Sequence, residues 1–324
     1  MQAGASGAKP PPAAAASVSS TPSCASSHRI AFVTDVAGLR SRADAAGWQG
    51  VQQAVAQRPC ASAELITSSR PSDYRRNLQA AVDHHSELII AGSFLLSDPV
   101  VEAAKANPAS NFVLVDPILP PRLLPNLAVL TFREDEAIYL AGAVAAMLSK
   151  TGVVAGIYGP GGALDELNRA AFERGVFDIG SGVRTLGAYQ PPVEGQPYEN
   201  PAWGRSQARA FMQQGADVIF GAGGTTGDGA VRAADDAGRL CIALDPDPTA
   251  YPSGARCLVG STRKIIDRVV MLEVLDGIDG HWAAGERRLG IGEGAVAFNP
   301  SGNASITPAI RTRLAALADA AGSR

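Results

Sequence analysis

No run of apolar residues in this chain approaches the roughly 18 that a helix needs to cross a bilayer, which excludes a helical membrane span on sequence grounds. Basic charge is not in excess either: 28 Lys and Arg stand against 31 Asp and Glu, a formal net charge of −3. A polyanion partner requires a basic stripe, so nucleic acid is not expected as a ligand. Cysteine is scarce. Cys24, Cys60, Cys241 and Cys257 form no CxxC pair and no Cys/His ligand spacing, so no structural zinc site is expected. The four histidines (His28, His84, His85 and His281) are scattered at element ends, where a solvated imidazole is the default. There is no GxSxG elbow, and no Ser, His and Asp fall at comparable strand ends. The Gly-rich GAGGTTGDG (221–229) lacks the GK[ST] of a phosphate loop and fits GxGxxG only loosely; it reads as a tight turn bringing backbone close to a neutral ligand. No catalytic residue, metal or cofactor emerges, and no enzyme is expected.

What is present is a large apolar fraction, 46%, with 18% charged residues, enough for one large or two medium cores. Residues 1–27 differ from the rest, being almost all Ala, Ser, Gly and Pro. Such a composition cannot bury enough surface to offset ordering entropy, so a disordered tail or tether is expected, with no export signal legible in it.

From Ile30 onward, apolar runs alternate with helical patterns. Strands are expected at 30–36, 63–69, 87–93, 111–117 and 126–132, with helices at 42–57, 74–85 and 98–108. The plan repeats after a helix at 134–149: strands at 153–159, 183–189, 216–223, 240–247 and 257–261, with helices at 164–178, 201–214, 227–237 and 262–276. Short strands within 287–300 and a helix at 307–321 complete the chain. Nearly continuous Val, Ile and Leu suits parallel strands covered on both faces. Two such series predict an α/β chain of two doubly wound lobes with parallel sheets. The expected lobes are 28–131 plus 262–285 and 132–261 plus 286–324, joined by three crossings.

Ligands of doubly wound sheets sit beyond the carboxyl ends of strands. The residues there include Asp35, Phe94, Asp116, Gly223, Gly224 and Asp245. One carboxylate at a strand end is commonly a helix cap. Three facing one cleft suit a ligand that offers hydroxyl or N–H donors. Lys264, expected early in the helix after CLVGS, adds a donor.

At these strand ends the sequence resembles the basic membrane lipoprotein family, the PnrA-like purine-nucleoside receptors of ABC importers. IAFVTDVAGL, LIIAGSFLLSDPV, FVLVDP, LTFREDEAIYLAGAVAAMLSKTGVVAGIYG, GADVIFGAGGTTGDGAVRAA, IALDPD and GSTRKIID match in order over about residues 29–300. The resemblance implies a type I periplasmic-binding-protein fold and a nucleoside held between the lobes. It also implies a permease and ATPase as partners, a monomeric receptor, and an extracytoplasmic, periplasmic or cell-surface site of action, with the tail as a membrane tether. It puts the base-binding aspartate at Asp35 and a second at Asp116, the stacking aromatic at Tyr198 in YENPAWG, and the sugar-binding pair at Asp245 and Lys264. Gly223 and Gly224 would lie along the ligand. One stretch departs from the pattern: where the family has an aromatic followed by Asn, this chain has Ala43, Asp44 and Ala45. Arg40, Arg42 or Trp48 is then expected to substitute, or the solute differs. A ligand-sensing regulatory module on the same fold is the alternative function.

Neighbouring parallel strands begin at one sheet edge, which pairs Cys241 with Cys257 and Cys24 with Cys60 if the chain is exported. A lipid anchor on Cys24 is the rival for that residue, although TPSC lacks the apolar residues such a cleavage site favours.

Overall fold

Ile30 to Val33 is an unbroken apolar run, and the strand it forms is covered on both sides. In the computed structural model, which describes residues 27–118, 122–192, 198–245 and 255–323, this strand is β1 (His28–Val33). Side chains alternate across a strand. Ile30 and Phe32 therefore enter a cluster with Val51 and Ala54 of α1 (Arg42–Ala56) and with Val270 and Val274 of α8 (Ile266–Ile278). Ala31 and Val33 enter another, with Leu78 of α2 (Tyr74–Asp83) and Val100 of α3 (Ser97–Ala106).

The first sheet continues with β2 (Ala61–Ile66), β3 (Leu88–Ala91), β4 (Asn111–Val115), β5 (Leu127–Phe132) and β11 (Gly285–Leu289), in the order β11-β5-β4-β3-β1-β2. All its pairings are parallel. The second sheet runs β12-β10-β9-β8-β6-β7, built from β6 (Val153–Tyr158), β7 (Arg184–Tyr189), β8 (Val218–Gly221), β9 (Leu240–Leu244), β10 (Leu258–Lys264) and β12 (Val296–Pro300). It too is sandwiched. Val154, Tyr158 and Phe220 face α4 (Glu134–Leu148), α5 (Ala163–Ile179) and α9 (Pro308–Gly322); Ile157, Ile219 and Ala243 face α6 (Pro201–Gln213) and α7 (Thr225–Asp236). The α/β architecture of two doubly wound sheets is as the residue pattern predicts, with one antiparallel pair among the described residues, β10 with β12.

Two local expectations need correction. A helix was expected from 262, placing Lys264 inside it; instead β10 extends to Lys264, because β12 pairs with it through Lys264↔Val296 and Gly260↔Pro300, and the helix starts at Ile266. The strands within 287–300 belong to different sheets, β11 to the first and β12 to the second. The chain thus passes between sheets after Phe132, at Ile265, and between Leu289 and Val296. Backbone hydrogen bonds tie these passages together: Arg133 N–H donates to the Leu289 carbonyl (2.9 Å) and Ile265 N–H to the Ala295 carbonyl (2.8 Å).

Cys241 and Cys257 are joined by a disulfide with Cα atoms 5.1 Å apart, at the edge where β9 and β10 begin. Cys24, and with it the expected bridge to Cys60, lies outside the described residues, as does the tail up to residue 26.

Candidate functional site

Beyond the carboxyl ends of both sheets, polar groups converge on one ammonium. Lys264 Nζ lies 2.5 Å from Asp116 Oδ2, just past β4, and 2.5 Å from Glu134 Oε1, at the start of α4. The Lys264 backbone N–H donates to Asp245 Oδ1 (3.0 Å), just past β9. Asp116 follows a first-sheet strand and Lys264 ends a second-sheet one, so the cluster joins the two lobes. Arg42, at the start of α1, adds a second link by donating to the Asp245 carbonyl. The space among Glu134, Ala137, Asp245, Thr262 and Lys264 is too tight for a water-sized sphere.

Three carboxylates around one lysine settle its charge. Burial works against the ammonium, but Asp116, Glu134 and Asp245 together outweigh it and hold Lys264 well above its usual pKa. Burial pushes Glu134 up to about 7 although Lys264 pulls it down. Asp245 is raised as well, again by burial and against the pull of Lys264. The site is therefore rich in acceptors, and its single lysine is already engaged.

On the second lobe the site has an aromatic side. Burial and the Asp165 carboxylate, to which its hydroxyl is hydrogen-bonded, push the Tyr198 phenol up to about 12; Glu134 and Lys264 are close enough to act on it too. Asp165 itself is held by the N–H groups of Gly159 (3.2 Å) and Gly161 (3.1 Å). The Tyr198 ring lies directly on Gly159, where a Cβ would stand 2.2 Å from its Cε1. A Cβ on Gly223 would meet Gly159 N at 2.5 Å. Glycine is thus required at the ends of β6 and β8 for the ring to sit there.

Backbone strain collects at the same place. Among the described residues, four non-glycine residues have positive φ, and three of them are Asp116 (59°), Tyr198 (68°) and Asp245 (42°). Such conformations persist where the surroundings over-determine them, and they concentrate at ligand sites.

A family model described as the PnrA-like ABC transporter substrate-binding protein matches residues 41–310. The chain belongs to this family. The ABC transporter nucleoside-binding protein BmpA of Lactococcus lactis is 30% identical over 205 residues, 62% of this chain and 56% of that protein. The chain spans a little over half the length of the curated relatives it matches first, 56% of each. Two solved structures share the fold. An ABC transporter solute-binding protein from Aeropyrum pernix superposes with a TM-score of 0.71 at 19% identity, covering 91% of both chains. A transcriptional activator of the comK gene from Bacillus halodurans superposes at 0.76 with 16% identity, covering 91% of this chain and 97% of its own.

Within this family's fold, the structure brings Asp116, Asp245 and Lys264 into direct contact and puts Tyr198, Gly223 and Gly224 beside them. Asp35 lies at the end of β1, bonded not to that cluster but to Asp44, whose helix carries Arg42 to Asp245. The remaining candidates diverge. Trp48 packs on Phe32 in the first lobe's core, ring centroids 6.3 Å apart. Arg40 is exposed and donates to the Ala37 carbonyl. Phe94, 40% exposed, opens a 3-10 turn just past β3. Two site groups were not singled out from the sequence: Glu134, one of three acids in the first turn of α4, and Asp44.

Proposed function

We propose that the chain is the extracytoplasmic receptor of an ABC importer, tethered or free, and that it holds a nucleoside between its lobes. The observation that carries this reading is the surplus of carboxylates around an already paired lysine, next to a seated tyrosine ring. Hydroxyls of a sugar satisfy Asp116, Glu134 and Asp245, and a flat heterocycle lies on Tyr198. The same surplus disfavours anionic solutes such as nucleotides. Base–aromatic stacking contributes about 1–3 kcal/mol per base, so Ala43 in place of a second ring weakens purine binding by about 5- to 150-fold relative to a two-sided clamp.

The test is calorimetry of purified protein with inosine, guanosine, adenosine, cytidine, uridine and inosine monophosphate. Saturable binding of at least one nucleoside, and much weaker binding of the monophosphate, is expected. Heats of dilution alone for all five nucleosides would remove the nucleoside reading. A second reading, a ligand-sensing module, is supported by the fold shared with a transcriptional activator. Nucleoside-dependent retention of the receptor by its ABC permease in nanodiscs distinguishes the two.

A further inference from the structure

The least accessible ionisable side chain near the cleft is Asp44, 0% exposed in the first turn of α1. It does not cap its own helix; Ser41 does that, accepting from the Asp44 N–H. Instead Asp44 Oδ2 accepts the backbone N–H of Asp35, nine residues back, at 3.0 Å. Asp44 Oδ1 is buried with no hydrogen-bond partner. The room for it is provided by Gly92, where a Cβ would stand 2.3 Å from Oδ1 and 2.4 Å from the Phe32 ring. The Asp35 and Asp44 carboxyls are close enough to interact, the Asp35 charge acting on Asp44. Burial pushes Asp44 up to about 7, with Asp35 adding to the rise and the Asp35 N–H opposing it.

Two adjacent buried carboxylates cannot both be ionised cheaply, and an orphan carboxylate oxygen is relieved by a proton. The other titratable groups facing Asp44 are Asp35, from the end of β1, and Tyr74, from α2, whose hydroxyl accepts the Val36 N–H at 3.4 Å. The segment after β3 contributes only Gly92 there, and Arg42 on the same helix is turned to Asp245. No cation thus compensates Asp44 among the described residues.

We propose that Asp44 is a positioning residue for ligand recognition, in its protonated form: it accepts the Asp35 N–H, donates its carboxyl hydrogen to Asp35, and so fixes the Asp35 carboxylate toward the cleft. Asp35 is held from its other side as well, its Oδ1 accepting the Ala37 N–H at 2.7 Å. When Asp44 ionises, two like charges meet and Asp35 loses that orientation. The consequence for ligand affinity rests on the nucleoside reading above; the proton does not.

The decisive variant is Asp44→Asn, which keeps the shape and a donor but cannot titrate. Inosine calorimetry from pH 5.5 to 8.5 should show wild-type affinity falling, above the Asp44 transition, by up to about tenfold per pH unit more than that of the variant. Glu134 titrates in the same range in both proteins, so the difference between the two profiles is the readout. Two measurements need no ligand. The melting temperature of the variant relative to wild type should rise with pH across this range. Carboxyl-carbon NMR of wild type should show an aspartate titrating near neutrality that is absent from D44N. Parallel melting profiles, or no such resonance, would overturn the proposal. If no nucleoside binds, the function proposed above falls, while the two ligand-free measurements still decide on Asp44. If inosine binds with parallel pH profiles, the positioning role falls and the receptor reading stands.

Discussion

Asp245 carries more of the site than its one carboxylate suggests. Its left-handed backbone turns the chain at the end of β9, its Oδ1 accepts the Lys264 N–H, and its carbonyl receives Arg42. Replacing it with Ala leaves the part-buried Lys264 N–H without its acceptor and removes a ligand acceptor. An unmade buried hydrogen bond costs about 1–3 kcal/mol, so D245A should weaken inosine binding by about 5- to 150-fold. Unchanged affinity by calorimetry would take Asp245 out of the ligand's contacts. At this scale the sequence was legible wherever strand-end position alone decides placement, as for Asp116, Asp245 and Gly223. It was silent where tertiary closure decides. Glu134 reads as an ordinary first-turn acid of α4, since Asp135 and Glu136 beside it look the same; only the arrival of Lys264 from the other end of the chain distinguishes it. Asp44 likewise looks like a helix N-terminal acid until Gly92 and Asp35 enclose it.

Elements were legible where hydrophobic period and length agree, which is why the strands of both sheets follow the apolar runs. β10 shows the limit. Thr262–Arg263–Lys264 is too polar to read as strand, yet β12 pairs with it antiparallel and carries the strand three residues beyond the apolar run. That extension matters, because it delivers Lys264 to the cleft instead of to a helix surface. The strand is anchored at its other end by Cys241–Cys257, which closes a segment of sequence separation 16. A loop of about 15 residues corresponds to about 3 kcal/mol in the chain-entropy model of disulfides. The double variant C241S/C257S should therefore lose about 3 kcal/mol in urea unfolding at pH 7. The cleft lies at the opposite strand ends, so inosine affinity of the folded fraction should change less than twofold. A loss of affinity as large as that of D245A would mean that the bridge acts on the site and not only on the unfolded chain.

Among the described residues, burial raises five carboxyls, Asp165 and Asp245 among them; Asp44, Glu134 and Glu273 rise to about 7 each, the last although Arg287 opposes it. An acid raised in the folded state binds more protons there than in the unfolded chain, where it titrates near about 4. Its stabilising effect is complete below the unfolded pKa and is lost as pH rises through the folded one. Four other acids among the described residues act in the other direction. Asp73, Glu102, Asp279 and Glu293 are lowered, the second and third chiefly by Arg75 and Arg58, and lose their contribution only in stronger acid. Calorimetric melting should accordingly peak near about pH 4–5 and decline toward pH 8. A melting temperature that climbs steadily from pH 5 to 8 would contradict native-state burial of Asp44, Glu134 and Glu273.

The same charges bear on closure. Hinged two-lobed proteins close around a solute, and contacts spanning the cleft bias that equilibrium. Among the described residues, Arg42 to the Asp245 carbonyl and Lys264 to Asp116 span it. These contacts bias the lobes toward each other, so solute entry requires them to part. Arg42 is the one that can be removed without leaving a buried charge, because its side chain is largely exposed and its partner is a neutral carbonyl. Arg42→Ala should therefore shift the ligand-free ensemble toward open forms. Its radius of gyration in small-angle scattering should exceed that of wild type and contract to the wild-type value with saturating inosine. Stopped-flow association should be faster than wild type, since fewer molecules must open before they bind. Identical scattering curves without ligand, together with identical association rates, would show that Arg42 does not hold the lobes together.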